Sequence, residues 1–552
     1  MISITAVTIT NFRCFQSLKL AFEKCHALIG ENGTGKTAVL DAIDLATTPT
    51  LSPSRFSEQD FNSADAGPIR IVVEFSEAFW VKVPDGYTTQ AVPARSVVLV
   101  VKRRERAAPG RALSDPFVLE HYARPVPFTD PGELGPIPEG LNCPTSLNET
   151  AEGYSVSRKS GKPMKVGTLQ LSLRNELVGF PNVFSFDKDR DTQAKIGFNS
   201  LLQKIARDLN WRFRAKWNQG EVLTAWNEFY EQVISTVEDA KTGRILRPLQ
   251  EQIRTLLGRD FSDLELSLLD LEQPFAKTFL ARRDGSNQID QSRLGSGISI
   301  LVAYLLLDVI SGLSKEAIIY LIDEPELHLH PQLQSRLFTR FREATPQTIY
   351  TTQSDCFVDV SEWRSILRFG ADHVVSPQHA VVESSLEGKR VADHLDEIKP
   401  WHQQHLVYHR EDNQLFFARR CVLVEGPAER YGLPILAERL GLPLEDVTIL
   451  SCNGKSKIPY YQLLCKAFGI PYFTLSDLDG LTAEAEENRR PVACAEVHAV
   501  HTFASSFEAL LGQTRGGKAS RTLLAVEDLK KESVPPEITT ALTAISAWSR
   551  GS

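Results

Sequence analysis

With 552 residues, 42% of them hydrophobic and 24% charged, the chain is too long for a single core and reads as two to four globular domains of ordinary composition. The net charge of −8 excludes a uniformly basic nucleic-acid coat, although not a local basic groove. The opening MISITAVTIT has no basic n-region or cleavage site, and the apolar run 298–313 is broken by Asp308 and falls short of a membrane span. No membrane association is therefore expected, and the expected location is the cytoplasm. The eight cysteines have no metal-ligand spacing and read as reduced, mostly buried thiols.

In chain order, alternation around NFRCF predicts an antiparallel strand pair leading into the strand CHALIG. Residues 37–46 have helical spacing, and 69–75 and 96–102 read as strands. Lys102, Arg103, Arg104 and Arg106 form a basic cluster whose plain reading is a solvated face. From about 107 to 165 the chain is rich in Pro, Gly, Ser and Asn, and an insertion of irregular loops is expected. Leu201, Ile205 and Leu209, and later Ile245, Leu249 and Ile253, recur at helical spacing and predict a helical arm. Strands resume at LELSLLDLE and AKTFLARR. An α/β pattern then runs to about 375, residues 390–418 read as helical, and a last α/β segment follows.

Two motifs carry nucleotide chemistry. GENGTGKT, residues 30–37, lies between a strand and a helix and matches a phosphate-binding loop. Backbone N–H groups around Asn32, Gly33 and Gly35 can curl about phosphate, Lys36 can reach the β/γ-phosphates, and Thr37 can offer its hydroxyl to Mg²⁺. In IIYLIDEPELHLHP an apolar strand ends in Asp323, suited to hold the metal, and Glu324, suited to polarise the attacking water. RLGSGIS, residues 293–299, opens an apolar helix, so Ser296 and Gly297 are candidates for a γ-phosphate. Gln59 is a weak candidate for a further nucleotide-site glutamine.

A second chemistry lies near the carboxyl end. The strand VLVEG places Glu425 at its tip, with Glu429 four residues on along the next helix, and the strand end FTLSDLDG carries Asp477 and Asp479. Carboxylates at neighbouring parallel strand ends form an oxygen-rich site suited to Mg²⁺ or Mn²⁺. Ser476 could add a ligand. His402, His405 and His409 share a helical face, but no Cys or carboxylate completes a zinc site, and an exposed face is the plainer reading.

NFRCF, the phosphate loop, LGSG, LIDEPELHLHP and TTQSD together resemble the ABC/SMC-like ATPases. The resemblance implies that LGSG meets the nucleotide of a second subunit and that Gln353 stands at a switch position often held by His. A Gln there orients water but takes up no proton at neutral pH, which implies slow hydrolysis. LFFARRCVLVEGPAERYGLPILAERLG, VTILSCNGKSKI and AFGIPYFTLSDLDG resemble a Toprim domain. On that resemblance SSFEALLG and RGGKAS correspond to later nuclease elements, with Glu508 supporting a second metal and Lys518 neutralising the transition-state phosphate.

An ATPase split by a helical arm and followed by a Toprim domain resembles the OLD (overcoming lysogenization defect) family. The fold class expected is α/β, an ABC-type P-loop ATPase domain interrupted by a helical dimerisation arm and followed by a Toprim domain with a central parallel sheet. The corresponding division is 1–190 and 259–390 for the two ATPase parts, with the loop-rich insertion in the first. The arm takes 191–258, a helical linker 391–418, and the Toprim domain 419–552. The resemblance implies an ATP-regulated, two-metal DNA endonuclease, at least dimeric, with ATP and Mg²⁺ or Mn²⁺ as cofactors. It further implies anti-phage defence, alone or with a helicase or a reverse transcriptase and its DNA product. A topoisomerase would require a tyrosine in a DNA-gate domain, and a primase a zinc ribbon; neither is apparent. The competing reading from another class is a non-cleaving ATP-dependent sensor or clamp acting through a partner.

Overall fold

The computed structural model describes residues 2–48, 51–63, 67–85, 88–104, 116–130, 143–150, 153–157, 164–166, 169–170, 177–186, 264–267, 279–284, 287–290, 317–327, 329–344, 346–370, 374–375, 410–442, 446–478, 499–513 and 519–550, with single residues and pairs between them. The chain divides into two compact units. One comprises Met1–Leu28 with Asn32–Thr352, the other Ile29–Glu31 with Gln353–Ser552.

The first unit opens with the antiparallel pair that alternation predicts, β1 (Ile4–Phe12) and β2 (Phe15–Ala21), in register from Ala6 opposite Ala21 to Phe12 opposite Phe15. β3 (Cys25–Gly30) leads through the phosphate loop into α1 (Lys36–Thr47). β4 (Ile69–Asp85) and β5 (Thr88–Arg103) are far longer than the two strands expected at 69–75 and 96–102. Val97–Val101 and Ile69–Val73 face one another across this hairpin in β-branched runs that suit a buried sheet. The expectation of irregular loops across 107–165 is corrected. β6 (Phe117–Pro125) pairs antiparallel with β5, and Ser146–Thr150, Gly153–Ser157 and Met164–Val166 form a three-stranded antiparallel sheet. The Pro- and Gly-rich composition concealed short strands whose pairing is fixed by neighbours rather than by their own periodicity.

The second sheet of this unit has the neighbour order β7 (Asn182–Phe186), β8 (Ile318–Ile322), β9 (Gln347–Thr352), β3, with β7, β8 and β9 parallel. Every residue of β8 and β9 is buried, which is why IIYLI reads as an unbroken apolar run rather than an alternating one. Gln347 is a polar residue in this core whose amide is fully used. Its side chain accepts from Ile4 N–H at 2.7 Å and donates to Ile4 and Glu23 carbonyls at 2.7 and 2.8 Å, tying β9 to β1. α2 (Pro331–Glu343) follows, with Pro at its first turn and His330 Nδ1 accepting from Gln332 N–H at its cap.

On α1, burial raises the partly exposed Asp44 carboxyl to about 6, with Arg55 opposing and Asp41 reinforcing the shift. The native state then keeps a proton that the unfolded chain loses near pH 3.8. Asp44 therefore costs stability progressively as pH rises from about 4 to 6, on the order of 2 kcal/mol once its partial exposure is allowed for. Asp44→Asn is expected to raise the melting temperature at pH 8 and to leave it unchanged at pH 4. Thermal unfolding at the two pH values checks this, and an equal gain at both would show that the effect is not one of charge.

The second unit holds a four-stranded, all-parallel sheet. Its strands are β10 (Arg420–Val424), β11 (Val447–Ser451), β12 (Tyr472–Asp477) and β13 (Val500–Phe503), in the order β11-β10-β12-β13. α3 (Pro427–Leu440) and α4 (Ile458–Ala467) make the crossovers, and α5 (Phe507–Leu510), α6 (Ala519–Asp528) and α7 (Pro536–Arg550) complete the unit. α3 stops at Gly441, whose φ of 72° allows its N–H and that of Leu442 to turn back onto α3 carbonyls. One continuous core joins Val422, Leu433, Phe473, Phe503, Phe507, Ile538 and Ile545. Arg368 donates to the carbonyls of Phe416, Ala418 and Phe468, and Tyr460 to that of Val360, so 360–369 and 416–418 are tied to one another and to α4 and its end.

Residues 191–247 of the expected helical arm, the LGSG turn and His402, His405 and His409 lie outside the described residues. Among the described residues no helix is long and apolar enough to cross a membrane.

Candidate functional site

The phosphate loop is formed by backbone geometry that its glycines permit. Gly35 has φ 98°, and a Cβ there would meet Phe15 Cζ at 2.4 Å and Cys14 Sγ at 2.5 Å, so NFRCF closes against the loop from outside. Arg13 of that segment pairs with Asp41 on α1 and with Asp60 at 3.1 Å. Lys36 begins α1 and is buried.

Thr37 Oγ1 lies 3.1 and 3.2 Å from the two carboxylate oxygens of Asp323, at the end of β8. The two expected Mg²⁺-holding residues, far apart in sequence, are thus in direct contact. Thr351, at the end of β9, completes the group. Its hydroxyl donates to Asp323 Oδ1 at 2.5 Å and accepts from Glu324 N–H at 2.9 Å. Glu324 itself has φ 47°, a left-handed conformation that a non-glycine residue adopts at a cost. Sequence reading passed over Thr351, since a threonine before Gln353 carries no signature apart from TTQSD. Thr351→Val should lower steady-state ATP hydrolysis by about 10- to 100-fold, as expected for a group that orients a metal ligand, with the fold retained. Hydrolysis at the wild-type rate would show Asp323 and Glu324 to be held adequately without it. Gln353 is exposed, and Ser296 and Gly297 lie outside the described residues.

The basic cluster at 102–106 is engaged where it is described. Lys102 pairs with Glu120, and Arg103 pairs with Glu58 at 2.9 Å while stacking over Phe61 at 3.8 Å. The plain reading of a structural, partly solvated face therefore holds for these two residues.

In the second unit, β10 and β12 are adjacent and parallel, so their carboxyl ends bring Glu425 and Asp477 together. Asp477 N–H donates to Glu425 Oε1 at 2.8 Å. Asp477 Oδ2 in turn accepts from Phe507 N–H at 3.2 Å, at the start of α5. Glu429, in the first turn of α3, is buried, and its carboxyl is pushed up to about 8. Desolvation is the largest cause, and Asp477, Glu508 and Glu425 add to it against an opposing backbone hydrogen bond. That repulsion places Glu425, Glu429, Asp477 and Glu508, four of the five expected acids, in one field. Ser476 is buried, with its hydroxyl 3.5 Å from that of Thr502. Asp479 and Lys518 lie outside the described residues.

The donors are of the right kind for a hard divalent ion, carboxylate oxygens at strand ends. Among the described residues, however, no three acidic, His or Cys side chains converge into a ligand cluster as they stand. Glu425 and Asp477 direct one oxygen each to backbone N–H groups instead. Side-chain rotation, with Asp479 contributing, would be needed to enclose an ion.

Lys455 was not anticipated. It follows β11 in the turn Asn453–Gly454 and extends its ammonium between the strand ends, 3.6 Å from Glu425 Oε1. It donates to the Asp477 carbonyl and, at 3.0 Å, to Asn488 Oδ1. In sequence, NGKSK falls within VTILSCNGKSKI, a segment of the Toprim resemblance that assigns its lysines no role.

Comparison with known proteins agrees with this division. Residues 416–479 match the family described as overcoming lysogenization defect protein-like, TOPRIM domain. Residues 2–105 match an AAA ATPase domain, and 174–359 match an AAA domain described as putative AbiEii toxin, type IV TA system. The chain is 25% identical over 566 aligned positions to an OLD nuclease of Thermus scotoductus, covering 96% of each. It is 23% identical over 221 positions to the Old nuclease of Escherichia phage P2, covering 37% of this chain and 36% of that one. Among solved structures it aligns with an Smc head domain with an extended coiled coil from Pyrococcus furiosus at 15% identity. That alignment covers 72% of this chain and all of the other, at a TM-score of 0.35, too low to carry argument.

Proposed function

Taking as premise a chain that joins ATPase domains to an OLD-like Toprim nuclease domain, we propose that it is an ATP-regulated, divalent-metal-dependent DNA endonuclease. The observation that carries this reading is the meeting of Glu425 and Asp477 across adjacent parallel strand ends, with Glu429 buried in their field. Glu425, Glu429, Asp477, Asp479 and Glu508 would hold Mg²⁺ or Mn²⁺. Bound there, the ions would activate water and stabilise the leaving 3′-oxygen. Lys518 would face the phosphate of the DNA backbone. Asn32, Gly33, Gly35 and Lys36 would cradle ATP phosphates, Thr37 and Asp323 its Mg²⁺, and Glu324 and Gln353 the hydrolytic water. Ser296 and Gly297 would complete the nucleotide site of a second copy, which makes the working form at least a dimer. We further propose cytoplasmic action against phage DNA, alone or with a helicase or reverse-transcriptase partner; the relatives' names support the nuclease activity.

The test is incubation of supercoiled plasmid with Mg²⁺ or Mn²⁺, with and without ATP. Nicking or linearisation that EDTA abolishes supports the reading, and the ATP lanes give the sign of coupling. Metal binding without cleavage of any DNA form would favour the second reading, a non-cleaving sensor. The Glu425 and Asp477 oxygens that accept from backbone N–H groups are the observation on its side.

A further inference from the structure

Lys455 is an ammonium group set among carboxylates, and its side chain is only 11% exposed. Four features show that it is held there. The main chain of its turn is fixed, since Cys452 N–H donates to the Val424 carbonyl and Gly454 N–H to the Glu425 carbonyl, both at 2.8 Å. Its Nζ reaches the carbonyl of Asp477 and stands 3.6 Å from Glu425 Oε1, the same oxygen that accepts from Asp477 N–H. Asn488, which accepts from the same ammonium, is buried. Asn488 spends its amide on the carbonyls of Leu478 and Thr482, at 3.2 and 3.0 Å, and so bridges these two residues. A single cation thereby joins the tip of β10, the tip of β12 and the loop beyond it.

We propose that Lys455 is the resident counter-cation of this acidic site. It is a positioning residue that holds Glu425 and the Asp477 strand end in register ahead of a divalent ion, and it lowers the affinity for that ion by its own charge. The inference rests on the reading of Glu425 and Asp477 as metal ligands. The physical logic is that of a buried charge cluster. Carboxylates at neighbouring strand ends repel one another, and an ammonium at ion-pairing distance from one of them relieves the repulsion. The same ammonium opposes an incoming ion. Glu425 Oε1 is shared between Lys455 and Asp477 N–H, so the cation and the strand end act on the same carboxylate oxygen. Lys455 is thus distinct from Lys518, whose expected partner is the DNA phosphate.

The test uses the full chain as wild type, Lys455→Met, Lys455→Arg and Asp477→Ala. Mn²⁺ binding is read from the spectrum of the free ion, and thermal unfolding is followed in EDTA and at saturating Mn²⁺. Lys455→Met is expected to bind Mn²⁺ about tenfold more tightly, because one positive charge near the ion is gone. In EDTA it should melt several degrees below wild type, and Mn²⁺ should remove most of that deficit. Lys455→Arg, which keeps the charge, should stay close to wild type in Mn²⁺ affinity. Unchanged or weaker Mn²⁺ binding by Lys455→Met, or a melting deficit of equal size with and without Mn²⁺, would overturn the proposal and leave Lys455 a structural residue. Where Lys455→Met does not fold, Lys455→Gln is read by the same two measurements. If Asp477→Ala binds Mn²⁺ as wild type does, the metal-site reading itself falls. If Asp477→Ala loses the ion while Lys455→Met matches wild type, only the Lys455 inference falls.

Discussion

Asp477→Ala is expected to abolish metal-dependent plasmid cleavage, by about 10³-fold or more, while ATP binding survives. The residue serves twice at the centre of the acidic site. Its main-chain N–H fixes Glu425 and its side chain accepts from Phe507 N–H, so β10, β12 and the start of α5 meet on it. The alanine variant keeps the first bond and loses the second along with the carboxylate. Asp477→Asn separates these contributions, since its amide oxygen can still accept from Phe507 while the charge is lost. Both variants should be inactive if charge is what matters, and only alanine should lower the melting temperature, by roughly what an unsatisfied buried N–H costs, ~1–3 kcal/mol. An asparagine variant that cuts at more than about a tenth of the wild-type rate would remove Asp477 from the set of ion ligands. The phosphate loop is on other strands, so ATP binding provides an internal control for both.

The parts of the molecule legible in the sequence were those whose chemistry is local. The phosphate loop needs a strand, glycines and a helix start in one stretch of chain, and β3, Gly35 and α1 supply them in order. The apolar runs IIYLI and YFTLS announce fully buried parallel strands, and the acids that follow each run mark the strand ends. The residues that were missed act across the sheet. Thr351 matters because β8 and β9 are parallel neighbours, which brings its hydroxyl to Asp323. Lys455 and Asn488 matter because a turn after β11 and a residue beyond β12 fold over the same strand ends. No spacing within one segment encodes such meetings. The same limit hid β6 and the three short strands between 146 and 166, whose partners, rather than their composition, make them strands.

Lys36→Ala carries the second large effect, a loss of about 100-fold or more in ATP affinity with hydrolysis falling to background. The lysine is the first residue of α1 and is almost wholly withdrawn from solvent. A cation kept there is costly unless an anion meets it. With ATP bound, it would face the phosphates beside the N–H groups of the helix start, where charge-assisted hydrogen bonds contribute up to about 3 kcal/mol, or roughly 150-fold in affinity. The variant is therefore expected to gain little melting temperature from ATP, which stabilises wild type. Equilibrium binding of a fluorescent ATP analogue, together with melting curves with and without ATP and Mg²⁺, measures both quantities. A variant that binds as wild type does would displace Lys36 from the phosphate site. One that binds poorly yet still cuts plasmid at the wild-type rate would show that the nuclease does not require nucleotide, and would separate the two halves of the proposed function.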